Sequence, residues 1–135
     1  MNLGMETETI EYKKSTGEMR EGMESIASIL NKHGHGTLYF GVRNDGEVIG
    51  QEVSEKTLRA VSQAVGNHIE PKIHPRIEKL MTEDGKPYII VQFSGSRQPY
   101  SCDGRYRIRI ADEDSPMSSA ELRQMMIDSA AAEYP

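Results

Sequence analysis

Hydrophobic and polar positions first alternate, then fall three or four apart, then alternate again, and these changes of period divide the chain into elements. In residues 6–13 (ETETIEYK), Thr9 and Glu11 face one way and Ile10 and Tyr12 the other, which is the period of a strand. Met19, Met23, Ile26, Ala27 and Leu30 then recur at helical spacing, predicting a helix over about 18–31 with one buried face. The run His33-Gly34-His35-Gly36 breaks it. Residues 37–42 (TLYFGV) read as a buried strand, Asn44-Asp45-Gly46 as a tight turn, and residues 47–49 as the returning strand of a hairpin.

Ser54 stands where a helix cap is needed, and Leu58, Val61, Val65 and Ile69 form an apolar stripe that Pro71 stops. Residues 73–81 and 87–93 predict two strands joined at Glu83-Asp84-Gly85, and residues 105–110 predict another. A last helix starts at Ser118 and Glu121, which have capping-box spacing, and is expected to bury Leu122, Met125 and Met126. The order β-α-β-β-α-β-β-β-α predicts an α+β fold: a mixed, largely antiparallel sheet with about three helices, in a single domain over 1–135.

Composition narrows the functional classes. Hydrophobic residues make up 36%, there is no Trp and there are eight Met, so the core rests on aliphatic side chains and adaptable thioethers. The net charge of -5 excludes a surface that attracts nucleic acid everywhere, and any phosphate contact must be a local patch. A lone Cys102 excludes an internal disulfide, and the first residues lack the pattern of a secretory leader, so a cytoplasmic location is expected. No apolar run approaches the ~18 residues of a spanning helix, so no membrane partner is expected.

Arg105, Arg107 and Arg109 alternate with Tyr106, Ile108 and Ile110, so a strand here would line three guanidiniums along one face. A two-residue step of about 7 Å can follow successive phosphates. A solvated face neutralised by Asp112, Glu113 and Asp114 has the same pattern. Lys13 with Lys14, and Lys72, His74, Arg76 and Lys79, are weaker basic clusters that also read as ordinary surface.

Glu6, Glu8 and Glu11, with Asp45 on its turn, could gather around a divalent ion. Glu6 and Glu11 lie on opposite faces of a regular strand, however, and meet only if the chain bends; an acidic edge strand is the plainer reading. The two histidines around Gly34 lack a third zinc ligand, and the glycines read better as a turn that lets backbone pass close to a ligand. The run does not match a phosphate loop, which leaves ATP binding without residues. Cys102, Ser94 and Ser96 have no arrangement of a nucleophile.

Taken in order, Glu6-Thr-Glu-Thr-Ile-Glu11-Tyr-Lys13, a helix, the segment GTLYFGVRNDGEVIG over 36–50, and Tyr106-Arg-Ile-Arg109 resemble the Schlafen-type Alba-like domain of bacterial regulators. The resemblance runs from about Glu6 to Met126. It implies a compact α+β domain that binds nucleic acid, often as the N-terminal part of a longer regulator, and a homodimer. In Schlafen nucleases it further implies a metal-dependent RNA-cutting site of two glutamates and one aspartate. Glu6 and Glu11 match the glutamates, Asn44 stands at the aspartate position and Asp45 beside it. Where that family has Asn-Thr-x-Gly-Gly before its Gly-Val strand, this chain has Lys32-His33-Gly34-His35-Gly36.

Three readings follow. In the first, a transcriptional regulator's nucleic-acid-binding domain holds DNA or RNA phosphates through Lys13, Lys32, Arg105, Arg107 and Arg109, with no cofactor. In the second, a metal-dependent ribonuclease uses Mg or Mn at Glu6, Glu11, Asp45 and Asn44, with Glu6, Glu11 and Asp45 catalytic. In the third, the domain serves oligomerisation or ligand sensing.

Overall fold

The computed structural model describes residues 1–133. In chain order the elements are β1 (Ile10–Lys13), α1 (Met19–His33), β2 (His35–Phe40), α2 (Glu55–His68), β3 (Ile69–Glu70), β4 (Arg76–Met81), β5 (Pro87–Ser94), β6 (Ser101–Cys102), β7 (Arg107–Ile110), β8 (Glu113–Pro116) and α3 (Ser119–Glu133). The expected α+β architecture with three helices is present. The main sheet has the order β1-β2-β5-β4, with β1 parallel to β2 and the other neighbours antiparallel. Two ribbons, β3-β6 and β7-β8, stand outside it.

Strand alternation sorts the side chains between the two faces of this sheet. Leu38 and Phe40 of β2, and Ile89, Val91 and Phe93 of β5, meet Met23, Ile26, Ile29 and Leu30 of α1 and Val61 and Val65 of α2 in the principal core. The opposite face carries Tyr12, Val42, Val48 and Tyr88, with Leu3, Tyr39 and Leu80 packed on them. There the Tyr39 ring lies 5.8 Å from that of Tyr12 and 6.2 Å from that of Tyr88.

The same alternation sends Glu11 to the helix side, since it is paired in register with Leu38 while Tyr12 pairs with Tyr39. A carboxylate buried to 6% exposure needs a counter-charge. It comes from Arg109 of β7, which is fully buried, with Nη2 2.7 Å from Glu11 Oε2 and Nη1 2.8 Å from Asp114 Oδ1 of β8. Nη2 also donates to the carbonyls of Thr7 at 3.0 Å and Ile10 at 3.4 Å. Asp114 in turn accepts from Ser25 at 2.6 Å and Ser28 at 2.8 Å, two hydroxyls one helical turn apart on α1. Burial opposes the charge on Arg109, but its hydrogen bonds to Asp114 and Glu11 outweigh that and hold its proton more tightly than usual.

α1 is therefore enclosed on two sides, by the sheet and by the β7-β8 ribbon. Its polar residue Asn31 completes the second side: its amide donates to the carbonyls of Tyr100 and Arg107, both at 2.8 Å, and its oxygen accepts from Tyr100 N at 2.6 Å. The helix ends at Gly34, left-handed at φ 77°, whose N–H reaches Leu30 O. Ser54 caps α2, as its sequence predicts, and Thr57 returns a side-chain bond to the Ser54 backbone.

Four expectations change. The first strand starts at Ile10 rather than at residue 6, because Thr7 N bonds back to Ile10 O and bends the chain. The expected strand at 47–49 is reduced to isolated bridges, Val42 with Val48 and Asn2 with Glu47. The glycines of His33–Gly36 admit protein rather than a ligand: a Cβ on Gly36 would stand 2.6 Å from Ile29 Cγ2 and 2.9 Å from Thr9 O. The cap of α3 forms as read, Ser118 and Glu121 bonding reciprocally, but Leu122 and Met125 are only half-buried and Met126 is 45% exposed.

Two substitutions measure these constraints in urea denaturation. Arg109→Met strands two carboxylates and is expected to cost about 3–5 kcal/mol. Gly36→Ala drives a methyl into Ile29, Phe93 and the Thr9 carbonyl and is expected to cost about 1–3 kcal/mol.

Candidate nucleic-acid interface and carboxylate pair

The bend before β1 decides the fate of the first acidic motif. By turning the chain at residues 7–9 it brings Glu6 back to the start of the strand, where Glu6 Oε2 accepts from Tyr12 N at 3.4 Å and the carboxyl meets Glu11. Burial, a hydrogen bond to Glu11 and the Glu11 charge push the Glu6 pKa up to about 8, against the opposing pull of Tyr12 N–H and Lys13. Glu11 is held on its other sides by Lys13, with Nζ 3.4 Å from Oε1, and by Arg109. Glu8 points elsewhere, 3.2 Å from His33 Nε2.

Asp45 and Asn44 do not join this pair as a metal cluster: among the described residues no group of three or more His, Cys, Asp or Glu is placed to hold an ion. Both are exposed on the turn. Asp45 Oδ1 accepts from Glu47 N at 3.0 Å and Oδ2 lies 3.4 Å from Arg43, the usual uses of an aspartate at a turn.

The basic strand face is dismantled by the fold. Arg105 precedes β7 and is exposed, Arg107 is mostly covered and lies 3.7 Å from Glu24 of α1, and Arg109 is buried. The face expected to meet phosphates thus packs on α1, so Arg109 is withdrawn from any contact with nucleic acid. Ile110, on the nominally apolar side, is 56% exposed. The signal that could have foretold this lies in α1, where Glu24, Ser25, Ser28 and Asn31 form a second, polar stripe beside the apolar one. Lys13 is largely covered beside Glu11, while Lys32, in the last turn of α1, is exposed and in no ion pair among the described residues.

In the second basic cluster, Lys72 and Arg76 are each 2.8 Å from a neighbouring glutamate, Glu70 and Glu78. A histidine pairing with no local signal lies elsewhere: His68 Nδ1 is 2.7 Å from Asp103, a residue at φ 52° that Arg20 also approaches at 3.7 Å. Cys102 is buried, and burial, with the charges of Asp103 and Glu24, pushes its thiol up to about 12, so it is no nucleophile at neutral pH.

No helix among the described residues is long and apolar enough to cross a membrane. Comparison with curated protein sequences finds no match. Among solved structures, the DIP2311 protein from Corynebacterium diphtheriae has a similar fold, with a TM-score of 0.69 at 18% identity over 87% of this chain. This chain spans 26% of that protein's length, about a quarter. The family profile described as Schlafen, AlbA_2 matches residues 6–118, from the first glutamate of the carboxylate pair to the cap of α3. With most of its length so matched, the chain belongs to the Schlafen, AlbA_2 family.

Proposed function

We propose that this chain is a nucleic-acid-binding domain, of the kind carried by transcriptional regulators, that holds phosphates through a small set of exposed cations. The observation that carries the reading is membership of the Schlafen, AlbA_2 family over residues 6–118. With Arg109 in the core, the contacts fall to Arg105 and Lys32, with Arg107 and Lys13 contributing from partly covered positions. Few cations on an acidic chain mean weak binding with a shallow salt dependence, since the slope grows with the number of phosphates contacted. A homodimer would double the number of contacts, and light scattering measures it directly.

The bend that joins Glu6 to Glu11 favours a second reading, metal-dependent cleavage of RNA. Mg or Mn is commonly held by one or two carboxylates, the remaining positions going to water and substrate phosphate, so the pair fits such an ion in donor type without Asp45 or Asn44. When bound, the ion would supply an activated water and neutralise phosphate charge. The chain's own part is to bring the two carboxylates together and to set Lys13 beside them as a cation for the strand. Glu6 must first give up its proton, and its raised pKa makes that step the one that depends on pH.

Each reading has its measurement. In fluorescence anisotropy across a salt series, Arg105→Ala is expected to weaken binding and make the log–log salt slope shallower by about 1; an unchanged slope removes Arg105 from the interface. In Mn-supplemented RNA cleavage assays, activity should climb with pH as Glu6 gives up its proton, at a lower pH the more Mn is present, and Glu6→Gln should abolish it. Equal cleavage by wild type and Glu6→Gln would end the nuclease reading.

A further inference from the structure

A cleft of about 950 Å³ lies between α3 and the loop that leads into β6, away from the carboxylate pair. Its size suits a small organic ligand, for which clefts of about 300–1,000 Å³ are usual. Tyr106, Met125 and Met126 provide much of the apolar wall, and Ser96, Arg97 and Ser101 bring polar groups. Tyr106 immediately precedes β7; Arg107 turns to Glu24 of α1 and Arg109 to Glu11 and Asp114, while Tyr106 lines the cleft. It is half-buried, and its hydroxyl has no hydrogen-bond partner among the described residues.

Arg97 complements it. The loop backbone is fixed: Arg97 N donates to Tyr100 Oη at 3.1 Å, and Gln98 Nε2 donates to Leu30 O and Gly95 O, both at 2.9 Å. The Arg97 side chain is nevertheless exposed and in no ion pair among the described residues. The far wall is α3, tied to this loop by Ser129 Oγ donating to Gln98 O. An aromatic ring, soft thioethers and an uncommitted guanidinium are the groups that hold a base and its phosphate. Glu70 and Asp128, also on the walls, would repel a phosphate in the interior but can accept from a base amino group.

Building on the nucleic-acid reading, we propose that this cleft takes one unpaired base of a single strand, stacked on Tyr106, with Arg97 on the flanking phosphate. A base inside a duplex cannot enter without leaving its stack, so the cleft selects single strands. Stacking of this kind tolerates every base, so strand form is the main thing the site reads, with Glu70 and Asp128 adding a preference for bases that carry an amino group.

The test is anisotropy titration of a labelled single-stranded oligonucleotide and a duplex of the same length, in DNA and in RNA, with unlabelled mononucleotides as competitors. Wild type is expected to prefer the single strand. Tyr106→Leu, which keeps an apolar side chain, should lower single-strand affinity about tenfold and leave duplex affinity unchanged, while Tyr106→Phe should behave as wild type. Arg97→Ala should lower single-strand affinity and flatten its salt slope. If wild type binds nucleic acid but Tyr106→Leu and Arg97→Ala bind single strands equally well, the cleft proposal is overturned and the nucleic-acid reading stands. If wild type binds neither form, both fall. A mononucleotide that competes as well as the strand overturns the strand as occupant and makes the cleft a site for free nucleotides.

Discussion

The burial of Arg109 between Glu11 and Asp114 is the interaction on which the arrangement turns. Strand alternation obliges β1 to send a carboxylate to the side of the sheet where α1 packs, and that carboxylate cannot stay there alone. The β7-β8 ribbon answers with a guanidinium at 2.7 Å, and its own Asp114 is answered by two serines of α1. One charged knot thereby joins four separate pieces of chain: the N-terminal bend, β1, α1 and the ribbon. Apolar packing could join these pieces without fixing their register; the fork of Arg109, with bonds in set directions, fixes it.

The candidate site inherits this geometry. Arg109 donates to the Thr7 and Ile10 carbonyls, which flank the turn that returns Glu6 to Glu11. The carboxylate pair is thus positioned by a residue that never touches solvent. The charges that face solvent are fewer than the sequence implies, since folding spends Arg109 wholly and Arg107 mostly on internal or helix-facing partners.

Much of this was legible in the sequence where a local rule governs. The helix caps at Ser54 and Ser118, the strands on either side of Gly85 and the alternation of Glu11 against Tyr12 follow from short-range chemistry, and they came out as read. What failed depended on which distant element arrives on a given face. Arg105, Arg107 and Arg109 have the same spacing whether they meet phosphate or α1, and only the polar stripe on α1 distinguishes the two. Gly36, at the start of β2, likewise marks a close approach in either case; the partner proved to be Ile29 and the Thr9 backbone. The meeting of Glu6 and Glu11 was visible only as a condition, since periodicity has no means of representing a bend.

The environment of Cys102 has a practical consequence. The chain's single thiol belongs to β6 and is buried in the main core, with its proton held to about 12. Thiol-reactive dyes therefore find nothing to label in the closed domain, and the rate at which they attach reports how often the core opens. The protein carries its own clock for conformational opening, and any labelling scheme that needs a surface handle must bring one in by a new cysteine elsewhere.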